Sequence, residues 1–182
     1  MRALQSLLSV GGRVRDNVLC GTRTERPLLR EVNAYIKWSE RDGGYDRLRF
    51  LPVLTVVAAR PGQSISSIST SITNQLAFLA EQHRDLLRVP LTADQGELES
   101  FRRDPPLLYG IIIAQTMAII VTLDSADHNA KIRHLYHVNF KEKGLDVWNS
   151  IAIAQVVIVA RNFTMSVKEE FDEDDPPSDI DA

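Results

Sequence analysis

The 182-residue chain is 44% apolar and 25% charged, a composition that excludes global disorder and fibrous classes, and its length suits one domain with a sizeable core rather than two. The formal charge of -3 is unevenly placed: eight of the 24 acids but only one of the 21 bases lie from Lys168 onward. The body is therefore mildly basic and the tail strongly acidic.

Residues 1–26 read as an N-terminal segment, helical or partly disordered. Arg2, Arg13 and Arg15 surround Leu4, Leu7, Leu8 and Val10, with no acid before Asp16. An ordinary first helix ending near Gly11 and Gly12 is the main reading; the alternative is an organelle transit peptide. Cys20 is the only cysteine, which rules out an intrachain disulfide and a multi-cysteine metal site. A small buried thiol in a reducing compartment, cytoplasmic or nuclear, is expected.

An α/β domain is expected over residues 27–167. Val32 to Trp38 alternates and carries Tyr35, Ile36 and Trp38, so it reads as a strand closed by the turn signal Asp42-Gly43-Gly44. Phe50 to Ala59 is a near-continuous apolar run that suits a strand covered on both faces, ended by Arg60-Pro61-Gly62. Ile65, Ile68, Ile72, Leu76 and Leu79 then recur at helical spacing to about Arg88, with Ser64 as N-cap and the serines between them as the wet face. Residues 89–106 are polar and charged, a surface connection.

Gly110 to Leu123 exceeds a typical strand of about 5 to 6 residues, so two strands hinged at Gln115-Thr116 are expected, as a hairpin. Lys131 to Phe140 alternates as a further strand. From Leu145 to about Val167, Trp148, Ile151, Ala152, Gln155, Val159 and Phe163 repeat at helical spacing and mark a packing face. Residues 168–182 cannot bury enough surface to offset their ordering entropy, and disorder is expected. The sum is a mixed central sheet with packing helices. The apolar run Tyr109–Leu123, 15 residues with Gln115 and Thr116 inside it, is shorter than the roughly 20 residues of a membrane helix, so a soluble protein with no membrane partner is expected.

Chemistry-bearing motifs are scarce. His134 and His137 are three apart, which on a strand puts them on opposite faces; with no acid or cysteine to complete a site, surface histidines are the plainer reading. No G-x-S-x-G elbow, G-x-x-x-x-G-K-[ST] loop or G-x-G-x-x-G loop occurs in the chain. Trp38, Trp148 and the tyrosines are not interleaved with bases as in a single-strand stacking platform, and read as core or sheet-face residues.

Val32-Asn33-Ala34-Tyr35, then Val57-Ala58-Ala59-Arg60-Pro61-Gly62, then Gln75-Leu76, and finally Gln155-Val156-Val157 follow one another in the chain. In order and spacing this series, over about residues 17–166, resembles the fungal PD-(D/E)XK nuclease-like proteins, and the resemblance implies a restriction-endonuclease-like fold. In that family one strand carries V-D-Y/F and the next ends E-x-K-R-P-G. The Asp and Glu bind Mg2+, and the Lys activates the attacking water. Here those three places fall on Asn33, Val57 and Ala59, of which only Asn33 offers a metal even one oxygen.

Arg60 lies one residue off the lysine position, and Glu31 is the nearby acid able to migrate into a ligand role; with Gln75 they are the remaining candidate binding residues. The resemblance thus implies a catalytically inactive domain without a cofactor, Mg2+ being expected only with the site intact, that acts by binding or scaffolding on nucleic acid or another protein. The alternatives are a nucleic-acid-binding module using the basic body, and an accessory protein or unconventional enzyme of fungal specialised metabolism.

Overall fold

The computed structural model describes residues 2–89 and 101–170. Most of the polar connection read over 89–106 and the acidic segment from Phe171 onward lie outside the described residues.

Three helices come first: α1 (Arg2–Leu8), α2 (Val10–Leu19) and α3 (Glu25–Gly43). Strand β1 (Leu54–Ala58) and helix α4 (Ile65–Leu87) follow, then β2 (Leu107–Ala114), β3 (Met117–Asp124), β4 (Arg133–Asn139) and α5 (Asp146–Ser166), with a short 3-10 turn at Lys168–Glu170. The sheet runs β1-β2-β3-β4. β1 and β2 are parallel, joined across α4, and the other pairs are antiparallel. The sequence pattern implied a mixed sheet with packing helices, and the structure has one, of four strands rather than the five read from the sequence. Among the described residues no helix is long and apolar enough to cross a membrane.

The pleat of β1 and β2 sorts the core into two clusters. Ile111 and Ile113 point to one face and pack, with Leu54, Val56 and Ala58, against Leu7, Val10 and Val14 of α1 and α2, Leu28, Val32 and Tyr35 of α3, and Ile153 and Val157 of α5. Leu108 and Ile112 point to the other and pack, with Val57 and Ala59, against Ile68, Ile72, Leu76 and Leu79 of α4. The apolar stripe read on α4 is thus the buried one, except that Ile65 at its start is 87% exposed. Ser64 caps the helix as expected, its hydroxyl accepting from the Ser67 amide at 3.2 Å, and the hairpin turns at Gln115-Thr116 between the paired Ala114 and Met117.

Five readings are corrected. Val32–Trp38 is not a strand but the middle of α3. Leu28, Val32, Tyr35 and Ser39 are among its buried positions, at a spacing of three to four that the short window over β-prone residues concealed. Asp42-Gly43-Gly44 is accordingly a helix end, with Gly44 left-handed at φ 67° and the Tyr45 amide bonded back to the Glu40 carbonyl at 3.2 Å. The first helix does not stop at Gly11 and Gly12: α2 runs through both, and Leu7, Val10 and Val14 are fully buried in the main core.

On α5 the expected face is the wrong one. Trp148 is 69% exposed, whereas Asn149, Ser150, Ile153, Val156, Val157, Ala160 and Thr164 are buried. This helix is apolar nearly all round, so periodicity alone does not orient it. Two polar anchors do: Ser150 Oγ donates to the Leu7 carbonyl at 2.8 Å, and Asn149 Nδ2 to the Asn139 carbonyl at 2.8 Å. Cys20, expected to be buried, is exposed just past the end of α2.

Candidate functional site

The turn Arg60-Pro61-Gly62-Gln63 reverses the chain from β1 into α4. Gly62 at φ 73° supplies a backbone that a side chain would strain, and Gln63 closes the turn from both sides. Its amide bonds to the Arg60 carbonyl at 3.0 Å, and its side-chain Oε1 accepts from the Arg60 amide at 2.9 Å. The helix then runs back along β1, so that Gln75 Oε1 accepts from Thr55 Oγ1 at 2.8 Å.

Between the outer edge of β1 and α4 lies an open groove of about 580 Å3. Val56, Val57 and Ala58 form its floor, Ser67, Thr70, Ser71, Asn74 and Gln75 its helix wall, and Arg60 and Gln63 its end. The lining is hydroxyl, amide and apolar, with Arg60 as its one charge, and Arg60 makes no ion pair among the described residues. Val57, Arg60 and Gln75 therefore line one groove, and Ala59, which follows β1, packs into the cluster under α4. With no carboxylate in the lining and Arg60 at its end, the groove offers a hard cation nothing but neutral oxygens beside a positive charge.

Asn33 is elsewhere. It sits exposed on α3 and lines a second cleft of about 610 Å3 with Arg13, Asp16, Asn17, Arg26 and Arg30. The idea that Asn33 faces Val57 and Ala59 from an adjacent strand is corrected by the helical state of α3.

Glu31, beside it in sequence, is 6% exposed and already occupied: Arg13 Nη1 and Arg30 Nε donate to its Oε1 at 2.8 and 2.9 Å. Burial pushes its carboxyl up, but the two guanidinium groups outweigh that, and its pKa lies below the ordinary value. A carboxylate neutralised by two arginines is a structural anchor joining α2 to α3, not an open metal ligand. Glu31→Gln is expected to cost about 1–2 kcal/mol at neutral pH, less than a fully buried pair because Arg13 and Arg30 are 38% and 66% exposed. With a depressed folded pKa the carboxylate stabilises above its unfolded value and loses this as pH falls. Urea midpoints of the two proteins should therefore converge below about pH 4.

The two histidines of β4 share a face, contrary to the alternation rule. A bulge between Ile120 and Val121, which pair with Tyr136 and His134, leaves Leu135 extra and turns His134 toward His137, their rings 5.6 Å apart. No group of three or more metal-ligating side chains occurs among the described residues. His83 is 3% exposed, its Nε2 3.2 Å from the Pro52 carbonyl, and burial pushes its pKa down.

What sequence reasoning missed at the groove is the free edge of the sheet. β1 pairs only with β2. The Tyr109 amide donates to the Val53 carbonyl and the Ala59 amide to the Ile113 carbonyl, both at 2.8 Å. In a parallel ladder the same strand side recurs every second residue, so Val53, Thr55, Val57 and Ala59 turn their polar backbone to β2. Val56 and Ala58 turn theirs outward, where they have no partner among the described residues. The signal was available in principle, since only one strand order leaves the apolar run Leu54–Ala58 at an edge, but strand order is a long-range property. Comparison with protein-family models, with curated proteins and with solved structures finds no match to this chain.

Proposed function

We propose that the protein is a catalytically inactive relative of PD-(D/E)XK nucleases that acts by binding, taking an extended segment along the open edge of β1 under the wall of α4. The observation that carries this is the composition of the β1–α4 groove: unpartnered backbone amides and carbonyls on its floor, neutral hydrogen-bonding side chains on its wall, and no carboxylate. Addition of a strand to a sheet edge uses main-chain bonds for affinity and the flanking wall for selection. Hydrolysis of a phosphodiester in the nuclease manner needs at least two oxygen anions on one Mg2+, and the groove supplies none.

The expected result is no cleavage of single- or double-stranded DNA or of RNA with Mg2+ or Mn2+. Reinstating the acid and base of the family motif in Val57→Glu/Ala59→Lys is expected to stay inactive as well, because Asn33 lines a different cleft and Glu31 is buried between Arg13 and Arg30, so neither completes a metal site. Mg2+-dependent cleavage by the unaltered protein that disappears in Glu31→Ala, Arg60→Ala or Gln75→Ala would overturn the reading.

A further inference from the structure

The two edges of the sheet are treated differently. β4 carries Arg133, His134 and His137 and a bulge against its neighbour, features that discourage another strand from docking. β1, Leu-Thr-Val-Val-Ala, has no charge, no proline and no bulge. We infer that the segment received at the β1 edge is β1 of a second copy of this chain, antiparallel and centred on Val56, giving a two-fold symmetric dimer with a continuous eight-stranded sheet. This rests on the binding role of the β1–α4 groove and names its occupant.

Three observations favour a second copy. Val56 is one of the residues whose amide and carbonyl point outward, so two Val56 residues facing each other across a dyad exchange both bonds. The helices fit too. α4 packs over β1 and β2 and also touches β3, so with strands about 4.8 Å apart its axis lies about 5–6 Å from a dyad just outside β1. Two α4 helices then run about 10–12 Å apart, close to helix packing distance. Thr55 is level with Gln75 through their hydrogen bond, and one strand residue spans about two helix residues, so Val56 is level with about Thr73. Equal steps of five either side bring Phe78, 59% exposed, level with Ile68 of the other copy, which is buried against its own sheet and leaves the exposed Ser67 beside it to face the ring.

Charge is complementary as well. Antiparallel pairing about Val56 puts Arg60 of one copy opposite Pro52 of the other. Pro52 shares a small cavity with Glu40 and with Arg161, the latter already paired with Asp42; Lys37, Asp46 and Arg41 also act on Glu40, so the acid itself is what faces Arg60. Neither Arg60 nor Glu40 has an ion-pair partner among the described residues. The contact forms twice, once on each side of the dyad.

Sedimentation equilibrium between about 1 and 200 µM, a span that covers ordinary homodimer affinities, should show the mass rising from 20.4 kDa toward twice that value. Val56→Pro removes an amide that points away from β2, so it spares the internal ladder and should weaken dimerisation at least tenfold by deleting two symmetric hydrogen bonds. Arg60→Glu and Glu40→Lys should each weaken it, and the double reversal should restore it. Amide exchange at Val56 and Ala58 should slow as concentration rises. A monomer over the whole range, or a dimer indifferent to Val56→Pro and to both reversals, overturns the inference. Those outcomes leave the nuclease assay, and with it the reading of a catalytically inactive domain, standing on its own result.

Discussion

Gly11→Ala is expected to lose about 3 kcal/mol of folding stability, read as a shift of the urea midpoint at unchanged slope. The cause is a single close approach. A Cβ on Gly11 would sit 1.9 Å from Oδ1 and 2.3 Å from Cγ of Asp146, far inside contact distance. That carboxylate has little freedom to retreat, because Arg15 grips it through two parallel bonds, Nη1 to Oδ1 and Nη2 to Oδ2, both at 2.7 Å.

The same guanidinium reaches the Phe140 carbonyl at 3.2 Å, so α2, the first turn of α5 and the end of β4 meet at one point. The alanine either expels the carboxylate, breaking a bidentate pair that is largely shielded from water, or pushes α2 off α5 and opens the cluster around Leu7, Val10 and Val14. Gly12 is the internal control. A Cβ there meets nothing within 4 Å, and Gly12→Ala, by its better helix propensity, should be neutral or gain up to about 1 kcal/mol.

That glycine pair shows where the sequence was and was not legible. Read locally, two glycines after an apolar helical stretch are a stop signal; in the structure one is a contact point for an element 135 residues away, which no local pattern announces. The same applies to α3. Tyr, Ile and Trp in an alternating window favour a strand, and the tertiary demand for Leu28, Val32 and Tyr35 on one side decided for helix. By contrast α4 and the hairpin were readable because a single buried face leaves a clean period and because a 14-residue apolar run has to fold back.

The candidate site divides in the same way. Val57, Arg60 and Gln75 line one groove because β1, its turn and α4 are consecutive, so sequence proximity becomes spatial proximity. Asn33 was placed with them through its supposed strand and left with it. The free edge of β1 and the turning of His134 by a bulge depend on strand order and register, which arise only once the sheet is assembled.

The groove also depends on how closely α4 seats against the sheet, and Gly110 sets that. A Cβ there would lie 2.8 Å from Val121 Cγ2 and 3.0 Å from Ile72 Cδ1, the first a cross-strand neighbour and the second a fully buried residue of α4. Gly110→Ala is therefore expected to cost about 2 kcal/mol by overpacking, while Ile72→Val, which removes Cδ1 and leaves a small void, costs about 1 kcal/mol. The double variant should cost clearly less than the two together, because the methyl removed from Ile72 vacates part of the space the new Cβ needs; the clash with Val121 keeps the rescue incomplete. Strict additivity in this cycle would mean that α4 does not rest on Gly110. Coupling of about 1 kcal/mol would show that it does, and that the width of the groove is fixed by one missing side chain on β2.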